Sequence, residues 1–240
     1  MVNAAEPGGG PAALPPDPPA LGASGYPPFL PATPRARRWS ASAWLLLRDD
    51  GGGGALAPGG TLGGSQAGAR LLRPIGRGLA LSGRLYLPLR RHSAAEAAAG
   101  LDWRPVARLP LHLLAERRQA LGKDGRSAFA LTLYGGASSE LPRRLRLDAY
   151  GQAGVVGTRA RDVFVDGSAR ISAPLGPVEI GGGAWGAAQP GAWRVDAGPS
   201  ISYRLPVRGA ALRLQADWRF RLAGDAAPGS GPALTLAADF

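Results

Sequence analysis

Acidic and basic side chains recur in pairs along the second half of the 240-residue chain. The pairs are Arg146/Asp148, Asp166/Arg170, Arg194/Asp196 and Asp217/Arg219. Residues two or four positions apart share one face of an extended strand, so each pair would lie on a single face. Opposite charges attract most strongly where bulk water is excluded. The spacing therefore predicts a confined, ion-paired surface.

The two histidines offer little for catalysis. His92 is followed by Ser93, and His112 precedes Glu116 by four positions. A Ser–His hydrolase needs its base within hydrogen-bond reach of the nucleophile and a third group that orients the base. Adjacent residues of a strand face opposite ways, which would separate His92 from Ser93. We therefore expect no enzyme, with a lipid-modifying barrel enzyme as the lesser alternative.

Metal and cofactor chemistry finds no supporting motif. The chain has no cysteine, which excludes a thiolate metal site or a disulfide framework. The glycine run at 51–54 lacks the Gly-Lys-Ser/Thr that completes a phosphate-binding loop. We expect no catalytic residue, no metal and no cofactor.

Apolar and polar residues alternate around these charges from residue 37 onward. Near the C-terminus, Leu214, Trp218 and Phe220 fall on one side of an extended chain, whereas Gln215 and Arg219 fall on the other. A period of two predicts strands. Twelve strands are predicted, near residues 39–48, 61–72, 79–89, 95–104, 108–118, 127–136, 144–156, 162–173, 178–188, 193–205, 210–222 and 233–240.

These segments predict an all-β fold, an antiparallel transmembrane β-barrel of about 12 strands. A tilted strand of about 9–11 residues crosses the hydrocarbon, and closure pairs the backbone groups that lipid cannot satisfy. Mostly tight, proline-containing connections alternate with longer Gly- and Asp-rich ones, as at the two rims of an outer-membrane barrel. An even strand count places both chain ends at the periplasmic rim. Pro88, within a predicted strand, is expected at a rim or bulge.

Aromatic residues fall into two predicted outward-facing girdles, which supports the membrane interpretation. The lower girdle contains Trp39, Trp103, Tyr203 and Phe240, and the upper girdle contains Phe129, Trp193, Trp218 and Phe220. The alternative is a soluble β-sandwich or barrel with its apolar face inward. Its polar face would meet water and be rich in lysine and glutamate, whereas Lys123 is the only lysine here.

Residues 1–36 are rich in proline, glycine and alanine and have no periodicity. They predict a disordered linker that precedes the barrel of residues 37–240. No signal peptide is visible. Because a linker at the N-terminus implies a segment upstream, we expect either that the chain is the C-terminal part of a longer exported protein or that its start is misassigned. The net charge is +11, and all of the 28 basic residues except Lys123 are arginines. They are spread along the chain rather than grouped in a patch, so no nucleic-acid partner is expected.

Strand parity assigns a set of charged side chains to the lumen, as the lining of a hypothesised transport path. They are Arg84, Asp102, Glu116, Arg146, Asp148, Asp166, Arg170, Arg194, Asp196, Arg213, Asp217 and Arg219. Two interpretations remain open. The charges neutralise each other and stiffen a closed barrel, or they line a pathway for a hydrated polymer. Likewise, Gly181 and Gly183 either widen a passage or make room for Trp185.

Residues 100–136, GLDWRPVARLPLHLLAERRQALGKDGRSAFALTLYGG, resemble the C-terminal domain of the bacteriophage adsorption protein A family. The rest of 37–240 shares only the general pattern and the terminal aromatic. Members of that family are outer-membrane barrels that typically follow tetratricopeptide repeats, and they are related in organisation to exporters of cellulose or poly-N-acetylglucosamine. The resemblance implies a pore for exopolysaccharide, anionic or neutral, in the outer membrane of a Gram-negative bacterium. It also implies outer-membrane lipid and an upstream periplasmic repeat domain as partners, and loops that serve as a phage receptor.

Overall fold

Twelve β-strands form a closed antiparallel barrel in the computed structural model, which describes residues 39–48, 55–57, 62, 64–90, 92–207 and 210–240. The strands are β1 (Ser40–Arg48), β2 (Gln66–Gly76), β3 (Leu79–Pro88), β4 (Glu96–Trp103), β5 (Leu111–Ala120), β6 (Ala128–Leu141), β7 (Leu145–Val156), β8 (Asp162–Leu175), β9 (Val178–Gln189), β10 (Ala192–Val207), β11 (Ala210–Gly224) and β12 (Gly231–Asp239). The predicted fold class is confirmed. The predicted linker, residues 1–36, lies outside the described residues, as does the glycine run at 51–54.

Sequential strands pair with each other, and β1 also pairs with β12 to close the barrel. Ala41 and Phe240 exchange backbone hydrogen bonds of 3.3 and 2.8 Å at this seam. No helix in the described part of the chain is long and apolar enough to cross a membrane.

The alternation along each strand sorts side chains between the lumen and the outer surface. In β11, Trp218 and Phe220 are about half exposed, whereas Asp217 and Arg219 are buried inside. The eight residues of the two predicted aromatic girdles are all exposed, between 38% and 61%. The soluble alternative, with the apolar face inward, is therefore wrong. Lipid replaces water along this apolar outer wall.

The connections at the two ends of the barrel differ in length. At one end, here called the short-turn end, Arg77 and Gly78 join β2 to β3 with φ of +48° and +76°, the left-handed pair of a type I′ hairpin turn. The opposite, long-loop end carries the 49–65 and 225–230 connections. Both ends of the strand sequence, Ser40 and Asp239, lie at the short-turn end.

Two connections break the predicted alternation. The 104–110 connection at the short-turn end is longer than the two-residue β9–β10 turn, Pro190 and Gly191, at the long-loop end. In that turn φ of Gly191 is +74°, which a glycine adopts without strain. Pro88 is the last residue of β3, a rim position as expected.

Two strands differ in extent from their predictions. β2 begins at Gln66 rather than near residue 61, because Leu62 is buried against Ala187 and Ala226 at the long-loop end instead of extending the strand. β6 continues to Leu141, although its last residues lack the apolar alternation, because they pair in register with β7.

Candidate functional site

The lumen contains the predicted charged residues, and it holds them almost out of contact with water. Of the twelve predicted lining residues, eleven are buried, and Arg146 is the exception, with its side chain 24% exposed. Asp148, Arg194 and Asp196 are 0% exposed. The structure therefore brings these residues into the barrel interior, while their role in transport stays a prediction.

Glu116 stands between two arginines from different strands. Its carboxylate accepts a hydrogen bond of 2.7 Å from Nη2 of Arg84 and one of 2.9 Å from Nε of Arg118. Arg84 reaches across β4 because the intervening residues, Ala98 and Gly100, are small. Arg118 also donates from Nη1 to the backbone carbonyl of Leu56, at 2.8 Å, so Leu56 is held inside the mouth of the barrel.

Asp102 gathers a second group nearer the short-turn end. Its carboxylate accepts from Nη2 of Arg70 at 2.6 Å and from the Tyr134 hydroxyl, and it lies 2.7 Å from Nδ1 of His112. The His112 and Tyr134 rings stack at 5.0 Å. A carboxylate that orients an imidazole supplies two of the three groups of a hydrolytic triad, and the third group is the nucleophile.

In the part of the chain that the structure describes, His112 has a hydrogen-bond contact with Asp102 and none with a serine hydroxyl. Ser93 lies in the short 3₁₀ segment His92–Ala94 at the long-loop end, whereas His112 begins β5 at the opposite end. The Ser82 hydroxyl is within 3.2 Å of Nε of Arg70 and is engaged there. In the described part of the chain, no three His, Asp or Glu side chains are grouped as metal ligands would be.

Asp148 and Glu179 organise a third group. Asp148 accepts from Nε of Arg146 at 3.1 Å and from the Ser138 hydroxyl at 2.6 Å. Arg170 lies 3.8 Å from Asp148 and donates to Glu179 at 3.0 Å. The predicted Asp166/Arg170 pair is wrong, because residues four positions apart on a strand are separated by about 13 Å. Arg170 instead finds carboxylates on the neighbouring strands β7 and β9.

The fourth group lies toward the long-loop end. Arg194 donates to both oxygens of Asp196, from Nε at 2.9 Å and from Nη2 at 2.8 Å. Nη2 of Arg48 lies 3.8 Å from the same carboxylate. Nη2 of Arg219 donates to Asp217 at 3.3 Å. The predicted pairs Arg194/Asp196 and Asp217/Arg219, two residues apart, are confirmed, as is Arg146/Asp148.

An apolar layer of four aromatic residues and one leucine lies inside the lumen. The alternation along the strands predicted the inward side of Tyr86 and Tyr150, but it did not predict that the five residues pack together. The layer is formed by Trp44, Tyr86, Leu114, Tyr134 and Tyr150, all at most 6% exposed. The feature that makes room for the layer is a glycine opposite a tryptophan, and it is visible only once the register of β1 and β2 is known.

Gly68 pairs with Trp44, and a Cβ at Gly68 would lie 2.1 Å from the indole. A Cβ added at Gly183 would lie 2.7 Å from the Trp185 ring, so the missing side chain at Gly183 makes room for that tryptophan. Of the two interpretations of Gly183, packing of Trp185 is the one that the geometry supports.

The fold and the lumen define the class. A closed barrel with an apolar outer wall, two aromatic girdles and an ionised interior is an outer-membrane β-barrel, and the protein is located in the outer membrane of a Gram-negative bacterium.

Among solved structures, the chain is similar to an outer-membrane channel and an outer-membrane protein. A COG4313 outer membrane channel from Pseudomonas putida F1 is 14% identical, with a TM-score of 0.44 over 93% of this chain and 98% of that one. A loop L8 deletion mutant of OmpT, an outer membrane protein of Vibrio cholerae, is 8% identical, with a TM-score of 0.26 over 84% of this chain and 97% of that one. No family model matches the chain, and no curated protein does. The bacteriophage adsorption protein A family thus stays a prediction.

Proposed function

We propose that the protein is a translocation barrel of the outer membrane whose cargo is hydrated and polar, and whose lumen is closed at rest by ion pairs along its inner wall. The observation that carries this is the bridging of separate strands by buried charges, as in Arg84–Glu116–Arg118. Apolar residues of similar volume fill a protein interior at no greater cost than buried ion pairs. Charged side chains that fill a lumen can, however, exchange their ion-pair partners for water and cargo, whereas apolar side chains cannot.

The number of strands is compatible with such a path. Barrels of about 8 strands are filled by their own side chains, whereas barrels of 16–18 strands leave an aqueous channel. A barrel of twelve strands lies between these limits, so its lumen is wide enough for a path only if side chains move aside. The arginine side chains would therefore decide whether the lumen conducts ions.

An exopolysaccharide, anionic or neutral, is the cargo we propose. The resemblance of residues 100–136 and the polar lumen support it, and the same resemblance supports an upstream periplasmic repeat domain and a phage-receptor role for the loops. Replacing Arg213, Arg219 and Arg221 with alanine should lower polymer secretion per folded barrel, with the amount of folded barrel in the outer membrane measured alongside because Asp217 loses its arginine partner. Arg126→Ala, at the rim, is the control. Unchanged secretion in the triple variant would refute the export proposal.

A closed structural or adhesion barrel is the second candidate. Complete burial of Asp148, Arg194 and Asp196 favours it. Purified protein in a planar bilayer separates the two. A translocation barrel should show discrete openings under applied voltage, and oligomers of polygalacturonate should shorten those openings. A structural barrel should stay silent at every voltage.

A lipid-modifying enzyme is the third candidate, because Asp102 orients His112. It requires that His112→Ala changes the lipid profile of the outer membrane. We propose no enzymatic role, so the lipid profile of the outer membrane in His112→Ala should match that of the unmodified protein.

A further inference from the structure

An apolar groove of about 670 Å³ runs over β7, β8 and β9 on the outer wall, toward the short-turn end of the barrel. Its lining includes Leu145 and Leu147 of β7, Ile171 of β8 and Ile180 of β9. Ser172 is the polar residue of the lining, and its side chain is buried on the lumen-facing side of β8. The groove therefore offers hydrocarbon contacts on the face that lipid covers.

A glycine forms the floor of this groove. In the ladders Gly182 stands between Ile171 of β8 and Pro199 of β10, and it is exposed. A Cβ at Gly182 would make an ordinary contact of 3.5 Å with the carbonyl oxygen of Gly198 and would otherwise enter open space. The missing side chain thus leaves room above the strand for a ligand.

Two arginines lie at the rim beside the groove. Arg143 and Arg144 form the end of the β6–β7 turn, directly before Leu145, and both are exposed. Neither side chain has a hydrogen bond or ion pair with another described residue. Their φ angles are +65° and +59°, a left-handed conformation that glycine and asparagine adopt with less strain than arginine. The turn therefore keeps two cationic side chains at positions that the backbone alone would not favour.

The acidic residues around this turn face the lumen instead of the groove. Glu140 stands opposite Arg146 on the lumen-facing side of the β6–β7 ladder. The acidic residues of β7 to β10 are on the lumen-facing side of their strands as well, and they are Asp148, Asp162, Asp166, Glu179 and Asp196. In the described part of the outer wall beside the groove, no carboxylate therefore neutralises Arg143 and Arg144.

The shape of the groove favours a slender ligand over a second barrel. A two-fold interface joins the same patch on both subunits, so two copies would set one concave groove against another and enclose an empty space. An acyl chain is slender and apolar and can lie in the groove. Arginine side chains bind phosphate through charge-assisted hydrogen bonds. Short turns mark the periplasmic end of an outer-membrane barrel, where the surrounding leaflet consists of phospholipid.

We infer that the groove and the Arg143–Arg144 turn together form a binding site for an anionic phospholipid. One acyl chain lies over Gly182, and the two arginines bind the phosphate. Any lipid can cover an apolar wall, but this site distinguishes headgroups, because an arginine near the membrane surface attracts anionic lipid. The site is outside the lumen, so the inference holds whether or not the barrel transports a cargo.

Native mass spectrometry of the full chain, purified in its folded state from outer membranes in a mild detergent, counts the lipid molecules that remain bound. With phosphatidylglycerol as the probe, one molecule should bind in a saturable way and more tightly than zwitterionic phosphatidylcholine. Arg143→Asn/Arg144→Asn should weaken phosphatidylglycerol binding by about fivefold for each arginine lost. Asparagine tolerates the left-handed conformation, so this variant keeps the turn.

A matched control removes two exposed charges from the same end of the barrel. Arg77 lies in the β2–β3 turn and Arg108 in the 104–110 connection, on strands that do not border the groove. Arg77→Asn/Arg108→Asn should bind phosphatidylglycerol as the unmodified protein does.

Gly182→Leu tests the groove itself, because the new side chain occupies the place of the acyl chain. It should weaken the binding of both lipids by about tenfold, which corresponds to about two methylene groups kept out of the groove. The control is Gly83→Leu on the outer wall of β3, where a Cβ has no neighbouring atom within 4 Å. This control should leave lipid binding unchanged. The arginine variants decide the outcome if Gly182→Leu does not fold.

Four results would overturn the inference. The absence of saturable phosphatidylglycerol binding would show that there is no site, and equal binding of the two lipids would show that the headgroup is not recognised. Equal losses in the variant and control of either pair would place the lipid elsewhere on the barrel. A dimer that Gly182→Leu dissociates would assign the groove to a second copy of the chain.

Discussion

Gly181 and Gly182, adjacent on β9, should respond in opposite ways to the same substitution. A Cβ at Gly181 would lie 1.9 Å from the carbonyl oxygen of Ile171 and 2.7 Å from Cα of Ser172. A Cβ at Gly182 would meet only the carbonyl oxygen of Gly198, at an ordinary 3.5 Å. The two positions share a strand, so propensity effects cancel in the comparison.

The cost of Gly181→Ala follows from what the methyl group meets. The obstructing atoms are backbone atoms of β8, which cannot rotate away as a side chain can. The ladder between β8 and β9 must therefore move, and such overpacking costs about 1–3 kcal/mol. That is a fall of about 5- to 150-fold in the folded-to-unfolded ratio. Gly182→Ala should be neutral or stabilise the fold by up to about 1 kcal/mol, because alanine has less conformational entropy to lose.

Reversible guanidinium unfolding in phospholipid vesicles, followed by tryptophan fluorescence, measures both variants. The unfolding midpoint should fall for Gly181→Ala and stay or rise for Gly182→Ala. Equal midpoints would show that β8 and β9 are not as close at this level as the structure places them, and the argument from Cβ distances would fail.

Three further predictions test the lumen, the outer wall and the closure of the barrel. Glu116→Gln leaves two buried arginines without their carboxylate and should cost about 3–5 kcal/mol in the same unfolding assay, whereas Asp162→Asn, in a part-exposed rim pair with Arg126, should cost less than about 1 kcal/mol. Equal costs would contradict the burial of the Glu116 group. Leu133→Arg, on the lipid-facing wall, should lower the stability of the barrel in vesicles by about 2–4 kcal/mol, and Leu121→Arg, in a loop, by less than about 1 kcal/mol; a tolerated Leu133→Arg would place that wall in water. Finally, the folded protein from outer membranes should migrate differently on a denaturing gel before and after boiling, and identical mobility would argue against a closed barrel.

Most of the fold was predictable because a period of two is a local property. The strands β7 to β12, with clear alternation, were predicted within a few residues. In β2 the alternation is blurred by small residues such as Gly68, so Arg70 was not assigned to the lumen, although it donates to Asp102.

The pairing of the lumen charges was predictable only within a strand. Arg194 and Asp196 are two residues apart, so their contact follows from the sequence. Arg84 and Glu116 are joined across β4, and that contact depends on the register of two ladders, which no single segment encodes. The entry of Leu56 and Leu62 into the mouth was equally hidden, since it depends on the shape of the finished barrel.

The pairing of β1 with β12 joins the first strand of the chain to the last, so the barrel cannot close until the whole chain is present. Eleven ladders join strands that are neighbours along the chain and form with short loop closure, whereas the twelfth joins Ala41 to Phe240. Until the final strand arrives, the growing sheet has two open edges whose backbone groups lipid cannot satisfy. Unless another surface covers those edges, the chain therefore cannot enter the bilayer strand by strand. Insertion of the unaided chain then coincides with closure, and closure requires the last strand, which is nine residues long.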